Sequence, residues 1–395
     1  MVFLQLTKKV PYPIRDGESV AVHALANGLK SHGHRLHLVS LDTDKHPVAQ
    51  SDLQAFQDSE LYLSVHTVSI RTNPTILGGI TNLFSSTSYH IRRYDQKKAR
   101  QELTSILQTL QGVDVVLLES LFVSSYLDII KQSLPHVTVV YRAHNVEHEI
   151  WSRIATYVGG ARAAYYRNQA GRLRRYESQV LGNVDLTAAV SLRDQHILQK
   201  LKRKAKILSI PIGIKEVNTP INVKTSQLQV GFIGTLDWLP NLDGMRWFLS
   251  KVWPELPTEQ FHLFIAGRNA DQLQVKAKNV TVLGEVTDSE SFLKRCQVSV
   301  VPLHAGSGTR VKILESMATG VPVLSTSIGA EGLEVKHDQD ILIADDASSW
   351  CRHLQSMYFE GPRREQLANK ARSYVRTHHN ISDLANQLIL ALPRK

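Results

Sequence analysis

The sequence predicts an α/β fold of two domains, each with a parallel sheet whose strands are joined by helices. Apolar, β-branched runs alternate with amphipathic stretches along the chain, the pattern of parallel strands connected by helices. The alternation lapses at residues 211–225 (PIGIKEVNTPINVKT), where Pro, Gly and Asn gather as in a linker, and then resumes. The length of 395 residues, 43% of them apolar, is enough to build a core for each domain. We therefore expect two Rossmann-like halves facing across a cleft, with ligands bound at the carboxyl ends of the strands.

The first domain is predicted to comprise residues 1–212. Its clearest helix is Ser19–His32, which has apolar residues on one face and Gly33 as its stop. Seven apolar runs predict strands, with helices in the gaps between them. These strands are Val2–Leu6, Arg35–Leu41, Val65–Ile70, Val113–Leu118, Val137–Tyr141, Asp185–Ala189 and Ile207–Ile210.

The second domain is predicted to comprise residues 213–372, and residues 373–395 are predicted to form a helix that packs back toward the first domain. The same alternation predicts six strands and four helices before the terminal helices. The strands are Gln229–Gly234, His262–Ala266, Val280–Leu283, Val298–Pro302, Val321–Thr326 and Asp340–Ile343, and the helices are Leu242–Val252, Ser289–Lys294, Val311–Ala318 and Ala347–Phe359.

Cysteine content and apolar patterning predict the compartment. The two cysteines, Cys296 and Cys351, are too few for a disulfide framework or a zinc ribbon and fit a reducing environment. No run of 18 apolar residues occurs, and the first ten residues (MVFLQLTKKV) place their charges after their apolar stretch, the reverse of a secretory signal. We therefore expect a cytoplasmic protein that neither spans a membrane nor is exported.

The positive charge of the chain is concentrated in its first half. Residues 1–212 hold 26 basic and 17 acidic side chains, against 20 and 19 in the remainder. This imbalance favours an anionic substrate, an anionic membrane or nucleic acid as partner, with general solubility as the alternative. Nucleic acid is not expected, because no RNP, zinc-finger or helix-turn-helix signature is present. Tyr89–Arg100 and Arg162–Arg175 interleave aromatic with basic residues, which predicts either contact with anionic lipid at the inner face of a membrane or a solvated helix face.

One segment carries the strongest functional signal, residues 302–322 (PLHAGSGTRVKILESMATGVP). Neither a dinucleotide-binding glycine motif after the first strand nor a P-loop motif occurs, so phosphate must be held in another way. A strand ends at Pro302, small residues follow, and a helix opens near Arg310, where free N–H groups attract anions. Arg310 and Lys312 lie at the positive end of the helix dipole, where basic side chains are unfavourable. Their presence there is expected only if an anion binds beside them, which predicts a diphosphate site. The alternative is an ordinary glycine-rich loop. The loop residues of the predicted site are Gly306, Ser307, Gly308 and Thr309.

This segment resembles the donor-binding signature of retaining glycosyltransferases of family 4, which have the GT-B fold. Other fragments of the chain resemble the family in the expected order, among them VGFIGTLDWL at 230–239 and RAHN at 142–145. The resemblance covers most of the chain. It implies transfer of a hexosyl group from a nucleotide-diphospho-sugar to a glycan, lipid-linked or small-molecule hydroxyl, with retention at the anomeric carbon. It implies no cofactor and no metal, because cations and helix N–H groups neutralise the leaving phosphate, which itself takes the acceptor proton.

The resemblance also assigns roles to residues. Glu315 would hold the ribose hydroxyls, a role that suits an acceptor-only carboxylate. His144 would contact the donor sugar as a catalytic residue together with Arg310 and Lys312. Asn145 would lie on the acceptor side. Glu119, at the tip of a strand, is interpreted either as an acceptor contact or as a surface residue. The remaining donor-binding positions are Gly17, Gly234, Thr235, Gly267 and Gly284.

The sequence departs from the family pattern at four positions. Ser307 stands where many members carry a glutamate for the sugar hydroxyls, and Thr235 and Asn241 stand where arginine and lysine are frequent. Ile212 replaces the usual asparagine between the domains. With these departures, backbone amides, Arg310 and Lys312 are expected to neutralise the charge of the diphosphate.

Two further sequence patterns, and two other uses of the donor site, leave alternative functions open. Asp42-Thr43-Asp44 has the form of a divalent-cation motif of another glycosyltransferase fold, after the second strand. His144-Asn145-Val146-Glu147-His148 matches a zinc hydrolase motif, with Asp194 or Glu177 as a third ligand, although His144 is expected in a loop. A sugar-nucleotide epimerase of the GT-B fold would share the donor site, and a binding module would retain it without catalysis.

Overall fold

A computed structural model of the chain describes residues 1–14, 16–44, 47–217, 225–306 and 308–393. These residues form two compact units, one made of residues 1–213 with 381–395 and the other of residues 214–380. Each unit has its own parallel sheet and its own hydrophobic core. None of the helices in the described ranges combines the length and the apolar character needed to cross a membrane.

The first unit is built on a seven-stranded parallel sheet of order β3-β2-β1-β4-β5-β6-β7. Four of its strands, among them those with the runs VFLQLT and VVLL, are buried along their whole length, and helices cover them. The strand order reverses between β1 and β4, so the loops after these strands diverge and leave room for a ligand. The strands are β1 Val2–Thr7, β2 Arg35–Thr43, β3 Ser64–Ile70, β4 Val115–Leu118, β5 Thr138–Ala143, β6 Leu186–Ala189 and β7 Ile207–Ser209.

The helices of the first unit connect successive strands. The first begins at Gly17, where the Asp16 side chain accepts a hydrogen bond from the Ser19 amide at 3.0 Å, and ends before Gly33 in the left-handed conformation. A 3₁₀ segment, Leu121–Tyr126, follows β4. The helices are α1 Gly17–Ser31, α2 Gln50–Asp58, α3 Ile76–Asn82, α4 Tyr89–Arg92, α5 Lys97–Thr109, α6 Leu127–Ser133, α7 Glu147–Tyr157, α8 Gly160–Asn183 and α9 Leu192–Leu201.

The second unit has a six-stranded parallel sheet of order β10-β9-β8-β11-β12-β13, which reverses between β8 and β11. Helix α10 starts three residues before its predicted start, because Pro240 in a first turn needs no N–H donor, and it passes through a π turn at Phe248–Val252. The strands are β8 Leu228–Ile233, β9 Phe261–Ala266, β10 Val280–Gly284, β11 Val298–Val301, β12 Val323–Ser325 and β13 Leu342–Ile343. The helices are α10 Leu239–Trp247, α11 Ser289–Leu293, α12 Val311–Thr319, α13 Ala347–Phe359 and α14 Gly361–His378, with short 3₁₀ turns at Trp253–Glu255 and Ala270–Leu273.

The last helix, α15 (Ile381–Ala391), belongs to the first unit and packs on α1. A Cβ atom on Gly28 would lie 2.7 Å from the Cβ of Ala385, so the two helices touch through a glycine. The sequence placed the start of the returning segment at residue 373. That boundary was wrong by eight residues, because α14 continues without interruption to His378.

Candidate functional site

Three of the predicted donor-site glycines lie side by side at the carboxyl edge of the second sheet. Gly234 follows β8, Gly267 follows β9 and Gly284 ends β10. The Gly267 amide donates to the Gly284 carbonyl at 2.6 Å, and the Gly234 amide donates to the Ala266 carbonyl at 2.9 Å. A Cβ atom on Gly267 would lie 2.1 Å from the Gly234 oxygen, so only glycine allows this approach of two backbones.

The loop between β11 and α12 carries the predicted cations. Gly306 and Gly308 have φ values of 112° and 81°, which side chains rarely adopt. Arg310 is the residue that precedes the first turn of α12, and its Nη1 donates to the Gly308 carbonyl at 2.8 Å. Thr309 lies between them, and Ser307 lies outside the described residues. The guanidinium is therefore folded back over the loop that leads into the helix.

Lys312 points to the tip of β8. Its Nζ donates to the Oδ1 of Asn241 at 3.0 Å and lies 4.6 Å from the centre of the Phe232 ring. A Cβ atom on Gly234 would lie 2.4 Å from this Nζ, so the glycine makes room for the ammonium. Burial and the nearby Arg310 charge lower the pKa of Lys312 to about 7, against an opposing effect of Glu315.

Asn241 has a role that the sequence showed only as a departure from the family pattern. Its side chain is 5% exposed. Its Nδ2 donates to the Thr235 carbonyl at 2.8 Å, while its Oδ1 accepts from Lys312. The amide therefore ties the loop after β8 to the cation of α12, and it occupies a position where a further cation would add to the repulsion on Lys312.

Glu315 lies on α12 close to one turn after Lys312. Its Oε1 accepts a hydrogen bond from the Ser289 hydroxyl, at the start of α11, at 2.7 Å. Burial raises the pKa of Glu315, opposed by this hydrogen bond and by Lys312. Ser289 was not identified from the sequence, because a serine at the start of a helix ordinarily indicates a capping residue. The structure thus brings together two cations and a carboxylate on one helix beside the three glycines.

In the first unit, the start of α1 is already surrounded by charges. Asp16 caps the helix and pairs with Lys9, and Glu18 pairs with Lys8 at 2.9 Å. Gly17 therefore lies between two carboxylates, each neutralised by a lysine. Its predicted contact with the donor stays a prediction.

Glu119 is completely buried, which corrects its interpretation as a surface residue. Its Oε1 accepts from Gln5 Nε2 at 2.7 Å, and its Oε2 accepts from Arg142 Nη1 at 3.1 Å and from His144 Nε2 at 2.9 Å. The Tyr62 hydroxyl donates to Gln5 Oε1 at 2.6 Å and extends the network. Burial alone would raise the pKa of Glu119, but Arg142 and His144 outweigh it and hold the pKa below its ordinary value. This carboxylate holds Gln5, Arg142 and His144 in position, and its predicted contact with an acceptor stays a prediction.

His144 lies in the loop between β5 and α7, as predicted. A carboxylate only accepts, so the His144 Nε2–H donates to Glu119, and in the Nε2–H tautomer of imidazole the lone pair lies on Nδ1. That nitrogen is buried and has no hydrogen-bond partner among the described residues. The next residue, Asn145, hydrogen-bonds Glu147, whose pKa burial raises to about 7 despite the Lys8 charge.

The two alternative metal motifs are engaged in protein contacts. His148 Nδ1 donates to Glu177 Oε2 at 2.5 Å, whereas His144 binds a different carboxylate. Asp42 and Thr43 lie within β2 and not after it, and Asp44 accepts from the amide and hydroxyl of Thr72 at 2.8 and 3.0 Å. Within the described ranges, no three His, Cys, Asp or Glu side chains are grouped so that they could hold a metal ion.

A known protein family matches part of the second unit. Residues 227–359 match the family model described as glycosyl transferases group 1, and this range contains the site from Gly234 to Glu315. The predicted resemblance to this group is thereby confirmed, while retention and family 4 stay predictions. A Klebsiella pneumoniae protein, described as an uncharacterized 44.6 kDa protein in the cps region, is 26% identical over 163 residues. The match spans 38% of this chain and 42% of that protein.

Three solved structures share the fold over nearly the whole chain. HepE of Anabaena, in complex with UDP and glucose, is 12% identical with a TM-score of 0.68, and 99% of each chain is covered. Sucrose-phosphate synthase of Thermosynechococcus elongatus is 15% identical with a TM-score of 0.70, covering 99% of this chain and 98% of that one. A mutant of S. aureus TarM, in complex with fondaparinux, alpha-GlcNAc-glycerol and UDP, is 9% identical with a TM-score of 0.73 and 99% coverage of each chain. The predicted GT-B fold is therefore confirmed.

Proposed function

We propose that the protein is a retaining glycosyltransferase that moves a hexosyl group from a nucleotide-diphospho-sugar to a glycan or lipid-linked hydroxyl. The observation that carries this proposal is the group formed by Arg310, Lys312 and Glu315 on α12, beside the glycine edge of the second sheet. Two cations and free helix N–H groups suit a diphosphate, and a carboxylate nearby suits ribose hydroxyls. The family match over residues 227–359 also supports glycosyl transfer.

In the proposed reaction, the bond between the anomeric carbon and the β-phosphate oxygen breaks, and a bond from the acceptor oxygen to that carbon forms. The acceptor proton passes to the departing phosphate, so no protein base is required. Arg310, Lys312 and the α12 amides stabilise the charge that develops on that phosphate. His144 contributes the Nδ1 lone pair, which can accept a hydrogen bond from a donor-sugar hydroxyl.

The proposal predicts that the protein binds nucleoside diphosphates without a divalent metal. HepE binds UDP and UDP-glucose, so UDP is the first probe, with GDP and ADP in parallel. A nucleotide at about 100 times its Kd stabilises the folded state by about 2.7 kcal/mol. We expect a raised melting midpoint with at least one diphosphate in EDTA, an equal rise with Mg²⁺, and none with the matching nucleoside.

The outcomes of this screen separate the candidate functions. No shift with any of the three diphosphates would contradict the donor site. A shift that EDTA abolishes and manganese or zinc restores would show that Asp42 and Asp44, or the histidines His144 and His148, bind metal after all. With the matching sugar nucleotide, a transferase releases nucleoside diphosphate in the presence of acceptor. An epimerase would convert the sugar with none released.

The pKa of Lys312 leads us to expect that nucleotide binding depends on pH. Its pKa of about 7 in the free protein means that the cation is lost as pH rises through 7. A bound diphosphate favours the charged form and raises that pKa, so binding above pH 7 takes up a proton and the affinity falls by up to about tenfold per pH unit. Isothermal titration of UDP from pH 7 to 9, in buffers of different ionisation enthalpy, measures this uptake. Lys312→Arg is the control, because a guanidinium stays charged; the same uptake in that variant would contradict the assignment to Lys312.

A further inference from the structure

An apolar helix face lies exposed on the first unit. Helix α3 and the turn after it present five large apolar side chains with the spacing i, i+1, i+4, i+7 and i+8, which places them on one side of a helix. A surface helix normally turns such a face toward the core, so a face turned outward indicates a binding surface. The exposed fractions are 86% for Ile76, 73% for Leu77, 54% for Ile80, 46% for Leu83 and 93% for Phe84. We call these five residues the α3 apolar face.

Buried polar contacts fix the opposite side of α3. Asn82 is completely buried, and its Nδ2 donates to the Thr87 carbonyl at 3.0 Å. Its Oδ1 accepts from Gln169 Nε2 at 3.3 Å and from Arg172 Nη1 at 3.2 Å. Gln169, also completely buried, accepts from the Ser88 hydroxyl at 2.9 Å. Rotating the apolar side chains inward would break these bonds, so the outward orientation is built into the fold.

The α3 apolar face is flanked by cationic sequence. Residues 71–94 and 157–176 together contain eight arginines and neither aspartate nor glutamate. The two segments pack together: Arg172 donates to the Asn82 and Leu83 carbonyls at 2.6 and 2.8 Å, and a Cβ atom on Gly79 would lie 3.6 Å from the Tyr165 hydroxyl. Apolar side chains thus emerge beside two packed segments that contribute eight arginines and no acidic residue.

We infer that the α3 apolar face and these arginines dock the protein on an anionic lipid bilayer. The apolar side chains would enter the boundary between headgroups and acyl chains, while the arginines would meet lipid phosphates. A second copy of the chain is a poorer occupant, because a twofold interface places each surface against itself and would set arginines against arginines. The inference is independent of the proposed donor site, which lies in the other unit.

Vesicle sedimentation tests the inference with the full chain and no nucleotide. Vesicles of phosphatidylglycerol and phosphatidylcholine in equal amounts are compared with phosphatidylcholine alone, at about 0.05 M and about 0.5 M salt. We expect binding to the anionic vesicles at low salt and at least about tenfold weaker binding to the neutral ones. Leu77→Ser/Phe84→Ser should weaken anionic-vesicle binding at least about tenfold. The matched control is Phe359→Ser/Leu390→Ser, which removes apolar side chains that are 70% and 76% exposed elsewhere and should leave binding unchanged.

Because all four substituted side chains are exposed, melting midpoints should match the wild type and confirm that each variant folds. Absence of wild-type binding at low salt would overturn the inference, as would equal binding by the Leu77→Ser/Phe84→Ser variant. Light scattering tests whether a second copy of the chain binds this face, because it measures the mass of the particle in solution. A wild-type dimer that becomes monomeric in the same variant would assign the α3 apolar face to a second copy of the chain.

Discussion

Replacing either Arg310 or Lys312 by alanine is expected to lower kcat about 100-fold or more, with a smaller effect on donor affinity. Both cations lie at the start of α12, where the charge of a leaving diphosphate would grow as its bond to the sugar breaks. An interaction that strengthens between ground state and transition state appears in kcat. A loss of 100-fold corresponds to about 2.7 kcal/mol of transition-state stabilisation.

Glu315→Gln provides the contrast on the same helix. Glu315 is proposed to hold ribose hydroxyls equally in ground and transition states, so its loss should appear largely in KM. Arg295→Ala removes an exposed arginine of the same unit and should change neither constant. Steady-state kinetics on the four variants, each with an unchanged melting midpoint, measures the split. Wild-type rates in both cation variants would remove the diphosphate site from this segment.

The sequence predicted all thirteen strands to within two residues at each end, because most of these strands are buried on both faces and therefore appear as apolar runs. Runs such as VFLQLT and VVLL have no other stable environment. The loop into α12 was also predictable, since a turn of small residues followed by cations at the positive end of a helix dipole is chemically unusual. Arg310 and Lys312 are two residues apart at the start of one helix, so they lie close together in any fold that contains this helix.

Contacts between distant segments could not be predicted in this way. Asn241 and Lys312 are 71 residues apart, and only the pairing of β8 with β11 brings them together. Glu119 ends a strand, a position that is exposed in many sheets, and its burial depends on Gln5 and Arg142 from the two adjacent strands. The outward face of α3 escaped prediction because an apolar stripe at helical spacing ordinarily indicates a core.

Removing the Glu119 carboxylate is expected to have the largest effect on stability. Glu119→Leu leaves the Arg142 guanidinium, 1% exposed, without its buried counter-charge. Breaking such a pair from one side costs about 3–5 kcal/mol, whereas an exposed pair contributes about 0–1 kcal/mol. Asp128→Leu is the matched control in the same unit, because Asp128 pairs with Arg100 and its side chain is 66% exposed.

Urea unfolding measures these differences. Glu119→Leu/Arg142→Leu should lie closer to the wild type than Glu119→Leu alone, because the double variant leaves no unpaired buried charge. The pH dependence has a defined sign. The pKa of Glu119 is lowered from 4.5 on folding, so its contribution is present above about pH 4.5 and is lost as pH falls through the lower folded-state value. Equal losses for Glu119→Leu and Asp128→Leu would contradict the buried pair.

Glu119→Gln separates the positioning role from the structural one. The amide keeps the volume of the side chain, but its NH₂ group can donate to the imidazole, so the Nε2–H tautomer of His144 is no longer enforced. If Nδ1 of His144 must accept a hydrogen bond from the donor sugar, kcat/KM should fall even where the variant remains folded at the assay temperature. His144→Ala on the Glu119→Gln background should then cost less than it does on the wild type, because both changes disable the same contact. Additive losses in that cycle would show that Glu119 stabilises the sheet edge without orienting His144.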